Sequence, residues 1–279
     1  VSSFRERNDR KPRPPKAWAP AADTPGNKRP QRFAPRKEDF EGWIWGRHAV
    51  EAALANPARE GPFRLVLTPG AATALAEQLK GRPEIRVEQL EPNDIGRLLP
   101  PGASHQGMAL RAPVLEGVGL EELGEPAQGV ILMLDQITDP QNVGAVFRSA
   151  AAFGARGVVL QDRHAPVLAG ALAKAAAGAV ETLPCARVVN LSRALERLAD
   201  LGWRAVGLDG AATETLAEAL DARPTVLVLG SEGEGLRRLV AEHCDTLARI
   251  PMPGGFESLN VSNAAAVALY EVVRTPRSA

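Results

Sequence analysis

Apolar residues along this chain fall in short blocks whose period switches between that of a strand and that of a helix. The alternation starts at "GWIWGRHAVEAAL", residues 42–54, where Trp43 and Trp45 alternate into a short strand and "HAVEAAL" has helical spacing. "FRLVLTP" reads as a strand, "AATALAEQLKG" as a helix stopped by Gly81, and "IRVEQL" as another strand. "EPNDIGRLLP" follows as a short helix and "GMALRAPV" as a strand. The pattern predicts a small domain of βαβαβ alternation over residues 42–113. Residues 114–128 are polar, acidic and glycine-containing, and are predicted to be a linker.

The second unit, residues 129–279, opens with "GVILMLD", apolar almost throughout, the pattern of a strand buried on both faces of a parallel sheet. Further strands are predicted at "GVVLQ" (157–161), "RVV" (187–189), "WRAVGLD" (203–209), "TVLVLG" (225–230) and "LARIPM" (247–252). Helical stretches lie between them, and "VSNAAAVALYEVV" closes the series. Such alternation predicts an open α/β sheet with its site at the carboxyl ends of the strands. No internal repeat of solenoid length interrupts it. No run is long enough to span a membrane, and the first residues are too basic and proline-rich for a signal peptide.

Composition changes the picture at one end only. The 279 residues are 45% hydrophobic, enough for a real core, and carry 33 basic against 33 acidic side chains. Residues 1–37, however, hold 11 Lys/Arg, 3 Asp/Glu and seven prolines, with few apolar anchors. That predicts a disordered basic arm over residues 1–41, suited to a polyanion such as RNA or serving as a solubilising tail. The two cysteines, Cys185 and Cys244, read as ordinary buried thiols in a reducing cytoplasm. No His, Cys, Asp and Glu fall at metal-ligand spacing, so no metal is expected.

Three loop-to-helix junctions carry the candidate chemistry. In "DPQNVGAVFRSAAAFG" Asp139 is a good N-cap, Pro140 fits the first helical position, and Gly154 is a natural stop. Val143, Val146, Phe147, Ala150 and Phe153 form a core stripe. The opposite face is Gln141, Gly144, Ala145, Arg148, Ala151 and Ala152, small residues around one guanidinium. Another backbone or a ligand should approach it. In "LVLGSEGEGLRRL" the glycines match neither dinucleotide nor NTP loops. Glu232 and Glu234 either cap a helix with an acidic first turn or disfavour phosphate and suit a cationic, hydroxyl-rich ligand. In "IPMPGGFESLNVSNAAAVALYE" two glycines precede polar residues opening a helix, where Asn260 and Ser262 are both candidate N-caps and the capping reading is preferred for Ser262.

Taken in order, "LDQITDPQNVGAVFRSAAAFGA", "LVLGSEGEGLRR" and "IPMPGGFESLNVS" resemble the three motifs of the SpoU/TrmH group of RNA ribose 2′-O-methyltransferases. The chain is most similar to the bacterial rRNA guanosine-methylating type. "GRHAVEAAL" and "HQGMALRA" resemble that type's substrate-binding domain. The resemblance implies a trefoil-knotted SPOUT fold for the second unit, a homodimer packed through small-residue helices, RNA as partner and S-adenosylmethionine as cofactor. It also implies catalytic roles for Asn142, Arg148, Glu232, Ser258 and Asn260. Contacts to the cofactor are implied for Gly230, Ile250 and Leu259, with Gly210 and Met252 as pocket lining.

The reaction so implied is in-line displacement of a methyl group by a ribose 2′-oxygen. Arg148 is then expected to act electrostatically, because a guanidinium almost never gives up its proton. Asn142 and Asn260 would hold groups in register, and Glu232 would orient its loop. His105 is expected to contact RNA or to be structural. Two other functions fit parts of the pattern: a tRNA ribose methyltransferase of the same group, and a non-catalytic RNA-binding protein of ribosome assembly.

Overall fold

The structure, a computed structural model, describes residues 40–254 and 258–275. The expected basic arm therefore lies, but for its last two positions, outside the described residues, as do Gly255, Phe256 and Glu257.

A four-stranded sheet comes first. It is built from β1 (Trp43–Trp45), α1 (Arg47–Ala55), β2 (Phe63–Leu67), α2 (Pro69–Leu79), β3 (Ile85–Gln89), α3 (Pro92–Arg97) and β4 (Met108–Arg111). The strand order is β1-β4-β2-β3, with β4 antiparallel to both neighbours and β2 parallel to β3. The predicted elements are all present. The stretch read as a linker is not featureless: it carries α4 (Leu120–Gly124), and Val118 bridges Ala186. Leu123 is buried, and the Gly124 carbonyl accepts the Trp203 indole N–H at 2.8 Å. Five residues give too short a period to betray such a helix.

The second sheet comprises β5 (Val130–Leu134), α5 (Pro140–Ala152), β6 (Gly157–Gln161), α6 (Gly170–Ala176), β7 (Cys185–Val188), α7 (Leu191–Asp200), β8 (Arg204–Leu208), β9 (Glu214–Thr215), α8 (Leu216–Ala219), β10 (Thr225–Leu229), α9 (Arg238–Glu242), β11 (Thr246–Arg249) and α10 (Val261–Arg274). Seven strands run parallel in the order β7-β6-β5-β10-β8-β11-β9. β5 and β10 lie at its centre and are buried at every position, the reason for their unbroken apolar runs. Alternate residues of β5 enter different cores. Val130, Leu132 and Leu134 pack with α5, α6 and α10, while Ile131 and Met133 pack with α7 and α9. In α7 the buried residues Leu191, Ala194, Leu195 and Leu198 repeat at helical spacing.

Two expectations are corrected, and one strand is new. The strand expected at 187–189 is set two residues earlier by its pairing, Cys185 opposite Val158, which leaves Val189 exposed. β9 was not foreseen, since two residues carry no period. The helix expected directly after "LGSEGEG" starts only at Arg238, so Glu232 and Glu234 cap no first turn.

Both cysteines are sequestered, and burial pushes each thiol up to about 12, so neither offers a thiolate at neutral pH. Among the described residues no helix is long and apolar enough to cross a membrane.

Candidate active site

α5 forms as its sequence dictates. Asp139 caps it, accepting the Asn142 N–H at 3.0 Å and the Gln141 N–H at 3.4 Å, and Pro140 follows at the first turn. Val143, Val146, Phe147 and Ala150 are buried, as the stripe required. What approaches the small face at Gly144 is α6 of the same chain. A Cβ there would stand 2.5 Å from the Leu172 carbonyl oxygen and 2.6 Å from the Ala175 methyl. The expectation of close approach holds at this position, but the neighbour is neither ligand nor second subunit. Likewise Ala265 and Ala268, in the alanine-rich part of α10, are buried in the chain's own core.

The three motifs meet in one hydrogen-bonded network. Asn260 donates from Nδ2 to Glu232 Oε1 at 2.8 Å and to Asn142 Oδ1 at 2.9 Å. Asn142 Nδ2 donates to the same Glu232 oxygen at 3.2 Å, and the Val261 backbone N–H adds a fourth link at 3.3 Å. Asn260, not Ser262, is the N-cap of α10: its Oδ1 accepts the Ser262 N–H at 3.0 Å and the Ser262 hydroxyl at 2.6 Å. One residue thus caps a helix with its oxygen and ties two distant loops with its nitrogen. Arg148 stands apart from this network. It is exposed, six residues along α5 from Asn142 (roughly 9 Å of rise), and makes no hydrogen bond or ion pair among the described residues.

Beside the network lies a cleft of about 620 Å³ at the carboxyl ends of β8, β10 and β11, where an open parallel sheet places its ligands. Gly210, Gly230, Ile250, Met252 and Leu259 all line it, together with Ser258 and Glu232. Its charged lining among the described residues is Asp209, Glu232 and Glu234, with no Lys, Arg or His. One wall is the loop after β10, closed on itself by Ser231 N–H to Gly235 O (3.1 Å) and Gly235 N–H to Ser231 O (3.0 Å). Gly230 is confined: a Cβ would overlap the Gly235 carbonyl group.

Sequence reasoning missed the groups behind that wall. Asp135, wholly buried at the end of β5, accepts the Arg237 backbone N–H at 2.9 Å and its Nε–H at 2.7 Å. Arg237 Nη2 reaches Gln161 Oε1 at 3.1 Å, at the end of β6. The one available signal was a carboxylate ending a fully apolar strand, which obliges a partner without naming it. His105 serves its own turn, accepting the Gly107 N–H on Nδ1 at 3.1 Å.

These features agree with what the chain is similar to. Residues 129–270 match the SpoU rRNA methylase family, and residues 43–116 match the RNA 2′-O ribose methyltransferase substrate-binding family. The 23S rRNA (guanosine-2′-O-)-methyltransferase RlmB of Pseudomonas aeruginosa is 40% identical over 83% of this chain and 95% of its own. An uncharacterized tRNA/rRNA methyltransferase of Mycolicibacterium smegmatis is 37% identical over 89% of this chain and 81% of its own. The crystal structure of the SpoU methyltransferase AviRb from Streptomyces viridochromogenes with AdoMet shares the fold. Its TM-score is 0.70 at 24% identity, over 83% of this chain and 89% of that one. With three motifs joined at one cleft, and both family matches laid end to end over the two sheets, the chain belongs to the SpoU rRNA methylase family.

Proposed function

We propose that this protein uses S-adenosylmethionine to methylate a ribose 2′-hydroxyl, on a guanosine of large-subunit rRNA. The observation that carries the reading is the Asn142–Glu232–Asn260 network at the lip of a cleft whose charged walls are acidic. Carboxylates without cations repel a nucleotide phosphate but accommodate a sulfonium and the hydroxyls of a ribose, so the residues present fit this cofactor. Gly210, Gly230, Ile250, Met252, Ser258 and Leu259 would hold it, as they line the cleft.

When bound, S-adenosylmethionine supplies a methyl group on a good leaving group. The chain must hold the RNA's ribose hydroxyl in line and help relieve it of its proton. Asn142, Glu232 and Asn260 fix the lip against which that ribose is placed. Arg148, charged and without a partner among the described residues, steadies the developing oxyanion or grips the adjacent phosphate, which can accept the proton. The small sheet serves as the RNA-binding domain (residues 42–113), 114–128 as the connection, and 129–279 as the catalytic domain, working in the cytoplasm where rRNA is assembled. In the catalytic domain β11 is inserted between β8 and β9, and a trefoil-knotted path of the chain through that region is part of the same reading.

A homodimer is part of the same reading. It is supported by the exposed apolar side chains Val267, Tyr270 and Val273 on α10. Tyr270→Glu should then shift the chain from dimer to monomer at micromolar concentration in light scattering; an unchanged mass rejects α10 as the interface. Gly230→Ala should weaken S-adenosylhomocysteine binding about tenfold, because the loop must yield to the new methyl group. Calorimetry checks it. The function itself is tested by radiolabelled methyl transfer to 23S rRNA and to tRNA, with ribose-methylation mapping in cells with and without the gene. Labelled tRNA alone would reassign the substrate, and absence of cofactor binding would leave a non-catalytic RNA-binding protein.

A further inference from the structure

We propose that Asp135 is a positioning residue for the cofactor loop, acting through Arg237. The inference rests on the functional reading above for the identity of the ligand, and on geometry alone for the tether. The loop from Gly230 to Leu236 forms one wall of the cleft, and its two ends are held differently. Its entrance is fixed by the sheet: β10 pairs with β5, and the Asp135 N–H donates to the Leu229 carbonyl at 2.8 Å. Its exit has no strand beside it. There Arg237 is held by the Asp135 carboxylate, which takes the backbone N–H on one oxygen and Nε–H on the other, while Nη2 reaches Gln161. Entrance and exit therefore converge on one residue.

The same residue begins the segment that leads to Asn142, and Gln136 next to it adopts φ 56°, a left-handed turn that a non-glycine side chain adopts only under constraint. The two segments are thus joined twice. At the base the joint is Asp135 with Arg237; at the tip it is Asn142 with Glu232. The base joint is a charge-assisted pair whose carboxylate is wholly buried, so its geometry is stiff. Freeing it lets the wall drift while the tip must hold alone with neutral amide donors. Asp135 touches neither the cleft nor any reacting atom, so its effect is to set where the wall stands.

The test compares the wild-type chain with Asp135→Asn and Arg237→Lys. Asp135→Asn keeps the shape and removes the charge; Arg237→Lys keeps the backbone N–H and a cation but loses the fork to Gln161. At a temperature where circular dichroism shows each fully folded, Asp135→Asn should raise the Kd for S-adenosylhomocysteine about tenfold, and Arg237→Lys by less. The KM for S-adenosylmethionine should rise with it, by a larger factor than kcat at saturation falls. A second readout needs no cofactor: Glu-specific protease should cut after the exposed Glu232 or Glu234 several-fold faster in Asp135→Asn. Wild-type Kd together with wild-type cleavage overturns the proposal. Should Asp135→Asn fail to fold, wild-type Kd and cleavage in Arg237→Lys overturn it. A wild-type chain that binds no S-adenosylhomocysteine sinks the functional reading, while the cleavage comparison still decides the tether.

Discussion

Arg148→Lys should lower single-turnover methylation of the RNA substrate about a hundredfold, with S-adenosylhomocysteine affinity and melting temperature unchanged. The side chain is exposed on α5, outside the cleft lining, so neither cofactor nor core depends on it. On the proposed reading its worth lies in what it offers to RNA: a planar fork that can bridge a phosphate and the oxygen beside it. Lysine retains the charge and loses the fork, so the size of the drop measures geometry rather than net electrostatics. A rate within twofold of wild type would exclude the fork. Arg148→Ala, losing both, should fall further.

The second large effect concerns stability. Arg59 and Glu181 form a bidentate pair, Nε to Oε2 at 2.7 Å and Nη2 to Oε1 at 2.8 Å, with side chains 2% and 3% exposed. Asn56 Nδ2 donates to Glu181 at 2.9 Å, and Arg59 Nη1 donates to the Pro113 carbonyl. Glu181→Ala leaves a buried guanidinium without its counter-ion and should cost about 3–5 kcal/mol, roughly 10 °C of Tm for a domain of this size. Arg59→Met with Glu181→Leu should lose much less, since neither charge is stranded. Thermal denaturation of the single and double variants decides it; equal losses would show that packing, not charge, governs the site.

How much of this was legible beforehand depended on distance along the chain. The cap, first turn and core stripe of α5 are written within fourteen residues, and all were readable. So were the two central strands, because burial on both faces leaves an unbroken apolar run. The Asp135–Arg237 and Arg59–Glu181 pairs join residues 102 and 122 positions apart, and no local period encodes such a partner. The small face of α5 was correctly read as a place of close approach at Gly144, but a helix thirty residues on produces the same demand as a ligand. Nor could pattern place the helix after the glycine loop, where a self-closed turn takes the residues that looked like its first turn. The aliphatic residues lining the cleft carry no pattern of their own; only resemblance to a family pointed to them.

Helix α6 belongs to the second sheet by sequence, yet it is shared. On one side it meets Gly144 of α5; on the other, Lys174 lies over Gly46, where a Cβ would stand 2.7 Å from its Cδ, and donates to Gln106 at 2.6 Å. The Trp45 ring rests 3.3 Å from where a Cβ of Gly170 would stand. For protein engineering this moves the scissors. A chimera cut at residues 114–128 would give a new recognition module a helix shaped for the old one. An exchange that carries the outward face of α6, and the turn with Glu181, transplants the joint as well as the reader.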